Sequence, residues 1–448
     1  MKLSFKLARP IKRMALTLGV SLTMMAPAFA AEAQAPAVNN LKLSPWAVQY
    51  VNDAQMQGLY PVGVESQRDF TIPATKDELN TLAETATKKL AGYHLKENKN
   101  FKAETSDDAL TRSDVLIDIY NIVGKYDDTA YTDALDYFKK NELIQGNGDD
   151  LALESTVTLE QALTFYNRAV TDAVYDDNMG SKGVFYKTEA NGNTVYFLGS
   201  IHVGDAGYYP IDDDIMKAFN ESDMLYVEAD ITNPITAEQA AVLLHGDKPL
   251  QEALSPELYA RVKKLMDSFG APESSYADMS LAGLYNTLSS LPLVNDPNGA
   301  VFGVDNYLLI NAKLMEKPIG EVESMDFQMD FLKNFGDDNY TPLIEDLLTQ
   351  LEQDKGKALA DETSAMKQAW VKGDATFFHT MFTSGDTFTE YLLKDRNPNM
   401  AKKIDELLKS KDQKTYMVVV GSGHYTSDQS VLDYLKDMGY TIETLTGK

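Results

Sequence analysis

Two segments that share one pattern decide the fold of this chain. Residues 194–202 read TVYFLGSIH, and residues 416–424 read YMVVVGSGH. In each segment an apolar run of strand length ends at a glycine, and a histidine follows three residues after that glycine. Unbroken apolar strands are typical of a parallel sheet that is covered on both faces. We therefore predict an α/β fold in which each Gly-x-x-His turn follows a strand.

The surrounding sequence alternates strands with helices. Asn191-Gly192 predicts a hairpin turn between the strand at 194–198 and one before it at 184–187. We predict next, in chain order, a strand at 224–228, a helical stretch at 237–293, a helix at 304–314, a strand near 318–323, helices to about residue 410, and a final β-α-β unit at 416–445. This order implies a mostly parallel sheet with helices on both faces, within a domain at 183–448. We expect the stretch at 237–293 to cover or line a ligand-binding crevice at the carboxyl ends of the strands.

Residues 43–177 predict a small all-α domain of short amphipathic helices. The segment SPWAVQYV at 44–51 returns as YTDALDYF at 131–138, and each copy precedes a second helix, which begins after Thr75 or Thr158. A Glu or Gln three residues after each threonine predicts a reciprocal helix cap. We therefore expect an internal repeat.

This repeat resembles the S-layer homology repeat. Arg112 keeps the basic residue of that motif, whereas Lys76 and Leu159 stand at the matching positions of the other copies. The resemblance implies binding to a cell-wall polymer through residues 43–177. The alternative is a helical domain that only packs on its neighbour, since fold does not fix function.

The first thirty residues predict a signal peptide. Five basic residues precede an apolar run from Met14 to Met25, and Ala28-Phe29-Ala30 follows as a cleavage site. We expect a linker at 31–42, no membrane span, and a protein secreted to the exterior or the cell wall, or to the periplasm of a source that has an outer membrane. Without cysteine, its stability must come from apolar burial. Cleavage would move the net charge from −26 to −31, which excludes nucleic acid as a partner.

The candidate chemistry lies at the ends of the strands. Ligands of parallel sheets bind beyond the carboxyl ends of the strands, where both His202 and His424 are predicted to lie. Glu228 ends the strand that follows the first turn. Two histidines and one carboxylate can bind a divalent metal and leave positions open. Gly199 and Gly421 would shape the turns. For each of these residues alone a purely structural role is the alternative, and Asp205 and Asp230 are weaker candidates.

These turns, with Val227-Glu228, are similar to those of the TraB/GumN family, whose eukaryotic relatives include the Tiki proteases. Further matching stretches are Gly303-Val304-Asp305, Glu323 with Gln328, Trp370-x-x-Gly373-Asp374 and Arg396-Asn397. His94, His245 and His379 match no family position. The resemblance implies a sheet related to the erythromycin-esterase and ChaN-like folds. It also implies a metal-dependent peptidase, with Mn or Co favoured and Zn an alternative.

Carried over to this sequence, the resemblance makes His202, His424 and Glu228 both metal ligands and catalytic residues. Arg396 would be catalytic and stabilise the oxyanion, and Asp305 and Glu323 would shape the site. Glu228 could instead act as the base, with Asp305 or Glu323 completing the metal site. Two alternatives stay open: a metal-free hydrolase, and a protein that sequesters a peptide or small molecule in the same crevice without turnover.

Overall fold

The computed structural model describes residues 42–446, apart from 65–66, 108, 147–149, 292–298, 355 and 384–386. The predicted signal peptide, and the linker up to residue 41, lie outside the described residues. The strands are β1 Val184–Ala190, β2 Asn193–Ser200, β3 Met224–Val227, β4 Ile319–Glu321, β5 Thr415–Gly421 and β6 Glu443–Thr444. In the part of the chain that the structure describes, no helix has the length and apolar character that a membrane crossing requires.

The α-helices connect these strands and also form the region before them. In chain order they are α1 Val48–Met56, α2 Lys76–Ala91, α3 Arg112–Val123, α4 Ala134–Lys140, α5 Leu159–Asp176, α6 Asp213–Glu221, α7 Ala237–Leu244, α8 Leu250–Ala253, α9 Pro256–Ser268, α10 Leu281–Ser290, α11 Val304–Leu314, α12 Met325–Asn334, α13 Asp337–Asp354, α14 Lys357–Lys372, α15 Ala375–Phe382, α16 Thr387–Lys394, α17 Arg396–Lys409, α18 Ser422–Thr426 and α19 Val431–Asp437.

The chain divides into two compact units. One holds the described residues up to 181 together with 205–216, and the other holds 182–204 together with those from 217 onward. The sequence had assigned 205–216 to the α/β domain. Hydrogen bonds explain the difference, because Tyr175 Oη donates to the Ile211 carbonyl over 2.8 Å and Asp212 N donates to the Ser181 carbonyl over 3.0 Å.

The first unit is built around α1 to α5. Thr75, Thr111 and Thr158 each accept a hydrogen bond from a backbone N–H of the first helical turn, and the residue three positions later bonds back to the threonine N–H. These reciprocal caps satisfy N–H groups that have no partner inside the helix. The apolar faces of the helices share one core, which includes Leu82 and Phe138.

The second unit contains a six-stranded sheet in the order β4-β3-β5-β2-β1-β6. β5 pairs in parallel with both β2 and β3, and β3 pairs in parallel with β4. β1 is antiparallel to both of its neighbours, β2 and β6, so it alone runs against the other strands. The predicted hairpin is confirmed, with Asn191 and Gly192 at φ 54° and 85° in its turn. The predicted α/β fold with a mostly parallel sheet is also confirmed.

The central strand β5 is buried on both faces. Its residues from Tyr416 to Gly421 are all buried, as a strand covered on two sides requires. On one face, Phe197 and Val418 pack with side chains of α17 and α19, including Ile404 and Leu435. This burial fixes the register of β2 and β5, and thereby the positions of the turns that follow them.

Two local predictions differ from the structure. The stretch at 237–293 is not continuous helix but four helices, α7 to α10, and its last two residues lie outside the described part. Pro249 precedes α8, and Gly270 at φ 74° follows α9, so the backbone is interrupted at both places. The last predicted strand shortens to the two residues of β6, at the edge of the sheet.

Candidate active site

Three strand ends meet where the sequence placed the chemistry. Ser200 at the end of β2 pairs with Gly421 at the end of β5, and Val227 at the end of β3 pairs with Val419 of β5. Gly199 is required here, because a Cβ at this position would lie 2.9 Å from the Cα of Ser422. The two Gly-x-x-His turns therefore cross at backbone contact distance.

His202 is held by Asp305. Its Nδ1 lies 2.7 Å from Asp305 Oδ2, and both side chains are buried. Asp305 stands in the first turn of α11, which begins against the first histidine turn: Val304 N donates to the Ile201 carbonyl, and a Cβ on Gly303 would lie 2.6 Å from the His202 oxygen. Because a carboxylate only accepts, the Nδ1 of His202 carries the proton.

His424 is held through its Nδ1 in the same way as His202, but its hydrogen-bond acceptor is a neutral amide. Its Nδ1 lies 2.7 Å from Asn397 Oδ1, while Asn397 Nδ2 donates to the Gln429 carbonyl over 2.9 Å. The amide oxygen can therefore only accept, so the Nδ1 of His424 carries the proton. Burial lowers the pKa of His424 well below its ordinary value, and the charge of Arg396 lowers it further. His424 is thus a neutral imidazole with its lone pair on Nε2.

Glu228 lies beside both turns. Its Oε1 accepts a hydrogen bond from Gly421 N over 2.6 Å and lies 3.8 Å from His424 Nε2. Glu228 also lines one small cavity with His202 and Asp305. The structure therefore brings Glu228 close to both predicted histidines.

Arg396 is paired with two carboxylates. Only 1% of the residue is exposed, and Nη2 lies 2.7 Å from Glu228 Oε2 and 2.7 Å from Glu323 Oε2. Burial alone lowers the pKa of Arg396, but the charges of Glu323 and Glu228 outweigh that effect, so the net pKa is raised. In the structure the guanidinium of Arg396 is therefore bonded to Glu228 and Glu323. Stabilisation of an oxyanion by Arg396 stays a prediction.

Gln328 and Phe331 complete the surroundings of this ion pair, and the sequence gave neither a role. Gln328 Nε2 donates to Glu228 Oε2 over 3.3 Å and to Glu323 Oε2 over 3.2 Å. The ring of Phe331, one turn later in α12, lies 5.9 Å from the guanidinium carbon of Arg396. The spacing of 328 and 331 on one helix was the signal available in the sequence, since residues three apart share a face.

The donor set can be tested for its fit to a divalent metal. Metal-binding histidines usually donate one ring N–H to a carboxylate or carbonyl oxygen and bind the metal through the other nitrogen. Asp305 and Asn397 impose that state on His202 and His424. Among the described residues, no group of three or more His, Asp or Glu side chains is placed to hold one metal ion. The tautomers of the two histidines suit metal binding, but the side chains do not form a complete ligand set, and Glu228 uses its two oxygens for Arg396 and Gly421.

The weaker candidates lie outside this group. Asp205 belongs to the helical unit, where its carboxylate accepts from Gly207 N over 2.8 Å. Asp230 accepts from Thr232 N and lies 3.5 Å from Lys313 Nζ. His379 Nδ1 lies 2.7 Å from the Thr426 carbonyl. We assign none of the three a part in the chemistry.

Comparison with known proteins gives a family match and several curated relatives. The TraB/PrgY/gumN family matches residues 184–444. The chain is 25% identical to "Metalloprotease TIKI1" of Danio rerio over 297 residues, which is 55% of this chain and 60% of the relative. It is 26% identical to "Metalloprotease TIKI1" of Xenopus tropicalis over 300 residues, which is 55% of this chain and 58% of the relative.

A bacterial relative covers less of the chain. "Uncharacterized protein YbaP" of Escherichia coli (strain K12) is 27% identical over 154 residues, which is 34% of this chain and 57% of YbaP. The matched region spans three fifths or less of the length of these curated relatives. No solved structure matches this chain.

Proposed function

We propose, from the premise that this chain belongs to the TraB/PrgY/gumN family, that it is a metal-dependent hydrolase of the peptidase type. The family match supports this proposal, as do relatives that are named metalloproteases. The observation that carries it is the matched hydrogen bonding of two histidines: Asp305 and Asn397 each accept from an Nδ1, which leaves both Nε2 atoms able to bind a metal.

His202, His424 and Glu228 would hold the ion. When bound, a divalent metal of this kind lowers the pKa of water and polarises a substrate carbonyl. The protein's own contribution is the fixed position of these side chains. Asp305 and Asn397 set the ring orientations, and Gly421 N with Arg396 holds Glu228. Substrate and its sequence preference are left to experiment, with peptides as the first class to test.

A second candidate function is capture of a peptide or small molecule without turnover. One observation favours it: both oxygens of Glu228 are engaged, by Arg396 at 2.7 Å and by Gly421 N at 2.6 Å. A carboxylate held in this way is less available as a base. The same crevice would then bind a ligand and release it unchanged.

One experiment separates the two functions. The chain is treated with chelator and reloaded with Mn, Co or Zn; its metal content is measured by mass spectrometry and its cleavage of a peptide library by product analysis. Turnover that is lost in His202→Ala/His424→Ala and kept in His245→Ala, an exposed histidine outside the site, supports the hydrolase. Absence of cleavage under every metal, with ligand affinity unchanged in the double variant, would favour capture.

Secretion and attachment to a cell-wall polymer through residues 43–177 are part of the proposal. Arg112 is buried, with its guanidinium carbon 5.0 Å from the Phe165 ring and its Nη2 3.3 Å from the Gln145 carbonyl. Sedimentation of the full chain with isolated cell walls tests attachment. Retention that equals that of a non-binding protein of similar charge would contradict it.

A further inference from the structure

Two buried hydrogen bonds end on neighbouring carbonyls of β2, directly before His202. Trp370 Nε1 donates to the Gly199 carbonyl over 2.7 Å, and Ser422 Oγ donates to the Ser200 carbonyl over 3.0 Å. Both donor side chains are completely buried. Successive carbonyls of a strand point to opposite sides of it, so the end of β2 is held from both sides.

Ser422 connects the two histidine turns to each other. It belongs to the second turn, and its hydroxyl bonds to the first. The close approach depends on Gly199, because a Cβ there would lie 2.8 Å from Ser422 Oγ. His202 stands two residues after Ser200, and His424 stands two residues after Ser422. A shift of one turn therefore breaks a bond to the other.

The two serines of these turns occupy equivalent positions but make different contacts. Each follows the glycine of its turn and is buried, with 1% of Ser200 and 0% of Ser422 exposed. The Ser422 hydroxyl has the partner described above, whereas Ser200 Oγ has no hydrogen-bond partner among the residues that the structure describes. The repeated serine therefore does not have the same role in both turns, and Ser200 provides a matched control for Ser422.

Trp370 reaches the first turn from the end of α14. The helix ends at Gly373, which has a φ of 68°, and the Trp370 carbonyl accepts a hydrogen bond from Gly183 N over 3.0 Å. A Cβ on Gly373 would lie 2.8 Å from the Gly183 carbonyl oxygen, so glycine permits this contact. The backbone of Trp370 is thus bonded to the chain just before β1, and its ring is bonded to the end of β2.

We propose that Trp370 and Ser422 are positioning residues, which hold the two histidine turns in one fixed arrangement. The inference rests on the proposed function, because it assumes that His202 and His424 act on the same ligand. The acceptors of the two Nδ1 atoms fix the orientation of each ring, whereas these two bonds fix the position of one turn relative to the other. A misplacement of about 1 Å in such an arrangement can lower a rate about a hundredfold.

The first test compares the two serines in the full chain. Ser422→Ala removes the bond between the turns, and Ser200→Ala removes an equally buried hydroxyl. Hydrogen exchange of the backbone amides at 199–204 and 421–426 is followed by mass spectrometry. We expect exchange at both turns to become about tenfold faster in Ser422→Ala, because the loss of one buried hydrogen bond is of that order. Exchange in Ser200→Ala should match that of the unchanged chain.

The second test compares two buried aromatic donors. Trp370→Phe removes the indole N–H, and Tyr340→Phe removes a buried hydroxyl that donates to the Leu332 carbonyl over 3.0 Å. Both should unfold at lower urea concentration. Only Trp370→Phe should also speed exchange at 199–204 and lower kcat for a cleaved peptide by about tenfold or more, with a smaller change in KM. A purely structural role would leave kcat unchanged well below the unfolding temperature.

The outcomes separate this inference from the proposed function. Exchange at the turns that is the same in Ser422→Ala, Trp370→Phe and the unchanged chain overturns the inference, even if peptides are cleaved. Equally fast exchange in Ser200→Ala and Ser422→Ala also overturns it. If the unchanged chain cleaves no peptide, the hydrolase is removed, while faster exchange at both turns in Ser422→Ala alone still upholds the positioning role.

Discussion

Asp305 Oδ2 accepts a hydrogen bond from His202 Nδ1 over 2.7 Å, and the two side chains are buried together at the carboxyl end of the sheet. The two residues are 103 positions apart in the chain, and α11 joins them because its first turn lies against the first histidine turn. This contact fixes the tautomer of His202. It therefore decides which ring nitrogen is presented to a metal or a substrate.

The first prediction changes this acceptor. Asp305→Asn removes the charge but keeps the shape, so the amide can donate to Nδ1 and shift the ring proton to Nε2. We expect metal affinity or turnover to fall by about 10- to 100-fold, with the fold retained. The pH profile of kcat/KM should shift as well, which loss of packing alone would not produce. Unchanged affinity and profile would show that the tautomer is irrelevant.

The second prediction concerns the buried ion pair. Arg396→Met leaves Glu228 and Glu323 without their cation, so the free energy of unfolding should fall by about 3–5 kcal/mol. Urea denaturation measures the change. Arg261 forms a partly exposed pair with Glu352 at 2.9 Å, and Arg261→Met should cost less than about 1 kcal/mol. An equal fall in the free energy of unfolding in the two variants would show that the buried ion pairs of Arg396 stabilise the fold no more than the exposed pair of Arg261.

The third prediction follows from the lowered pKa of His424. Burial keeps this imidazole neutral in the folded state, while the unfolded chain takes up a proton near pH 6.5. The unfolded state is therefore favoured as the pH falls below 6.5, by up to about 1.4 kcal/mol per pH unit. In chelator-treated protein, His424→Gln should show a shallower loss of stability between pH 6.5 and 5. An unchanged slope would contradict the burial argument.

The fourth prediction concerns Asp172 in the helical unit. Burial, assisted by the charge of Asp176, raises the pKa of Asp172 to about 7. The folded state then keeps a proton that the unfolded state loses near pH 4, so this contribution to stability is full below pH 4 and is lost as the pH rises to 7.

Asp172→Asn removes that dependence. The variant should be more stable than the unchanged chain at pH 8, and the difference should shrink toward pH 4, as measured by thermal unfolding at both values. Asp176→Asn should lower the pKa of Asp172 and narrow the affected pH range. A variant that is less stable at pH 8 would show that Asp172 is charged and well solvated.

Much of the second unit could be predicted from the sequence because its signals are local. Each of these signals lies within a few neighbouring residues: the apolar runs of β2 and β5, the turn at Asn191-Gly192, and Glu228 at the end of its strand. Burial of the sheet then selects the structure that these local signals favour. The helix caps at Thr75 and Thr158 could also be predicted, because each cap joins residues that are three positions apart.

The remaining features depend on contacts between distant residues. Asn397 holds His424 across 27 positions, and Gln328 reaches Glu228 across 100. No period or spacing in a single sequence reports such pairs. The ion pairs of Arg396 were not predicted for the same reason, because its two carboxylate partners, Glu228 and Glu323, follow different strands. The S-layer resemblance of residues 43–177 stays a prediction.

The position of β5 in the sheet determines when the candidate site can form during synthesis. This strand lies in the sheet between β2 and β3, although more than 180 residues separate it from β3 along the chain. During synthesis the amino-terminal strands emerge first and must wait for the strand that joins them. The candidate site can therefore form only after almost the whole polypeptide has been made.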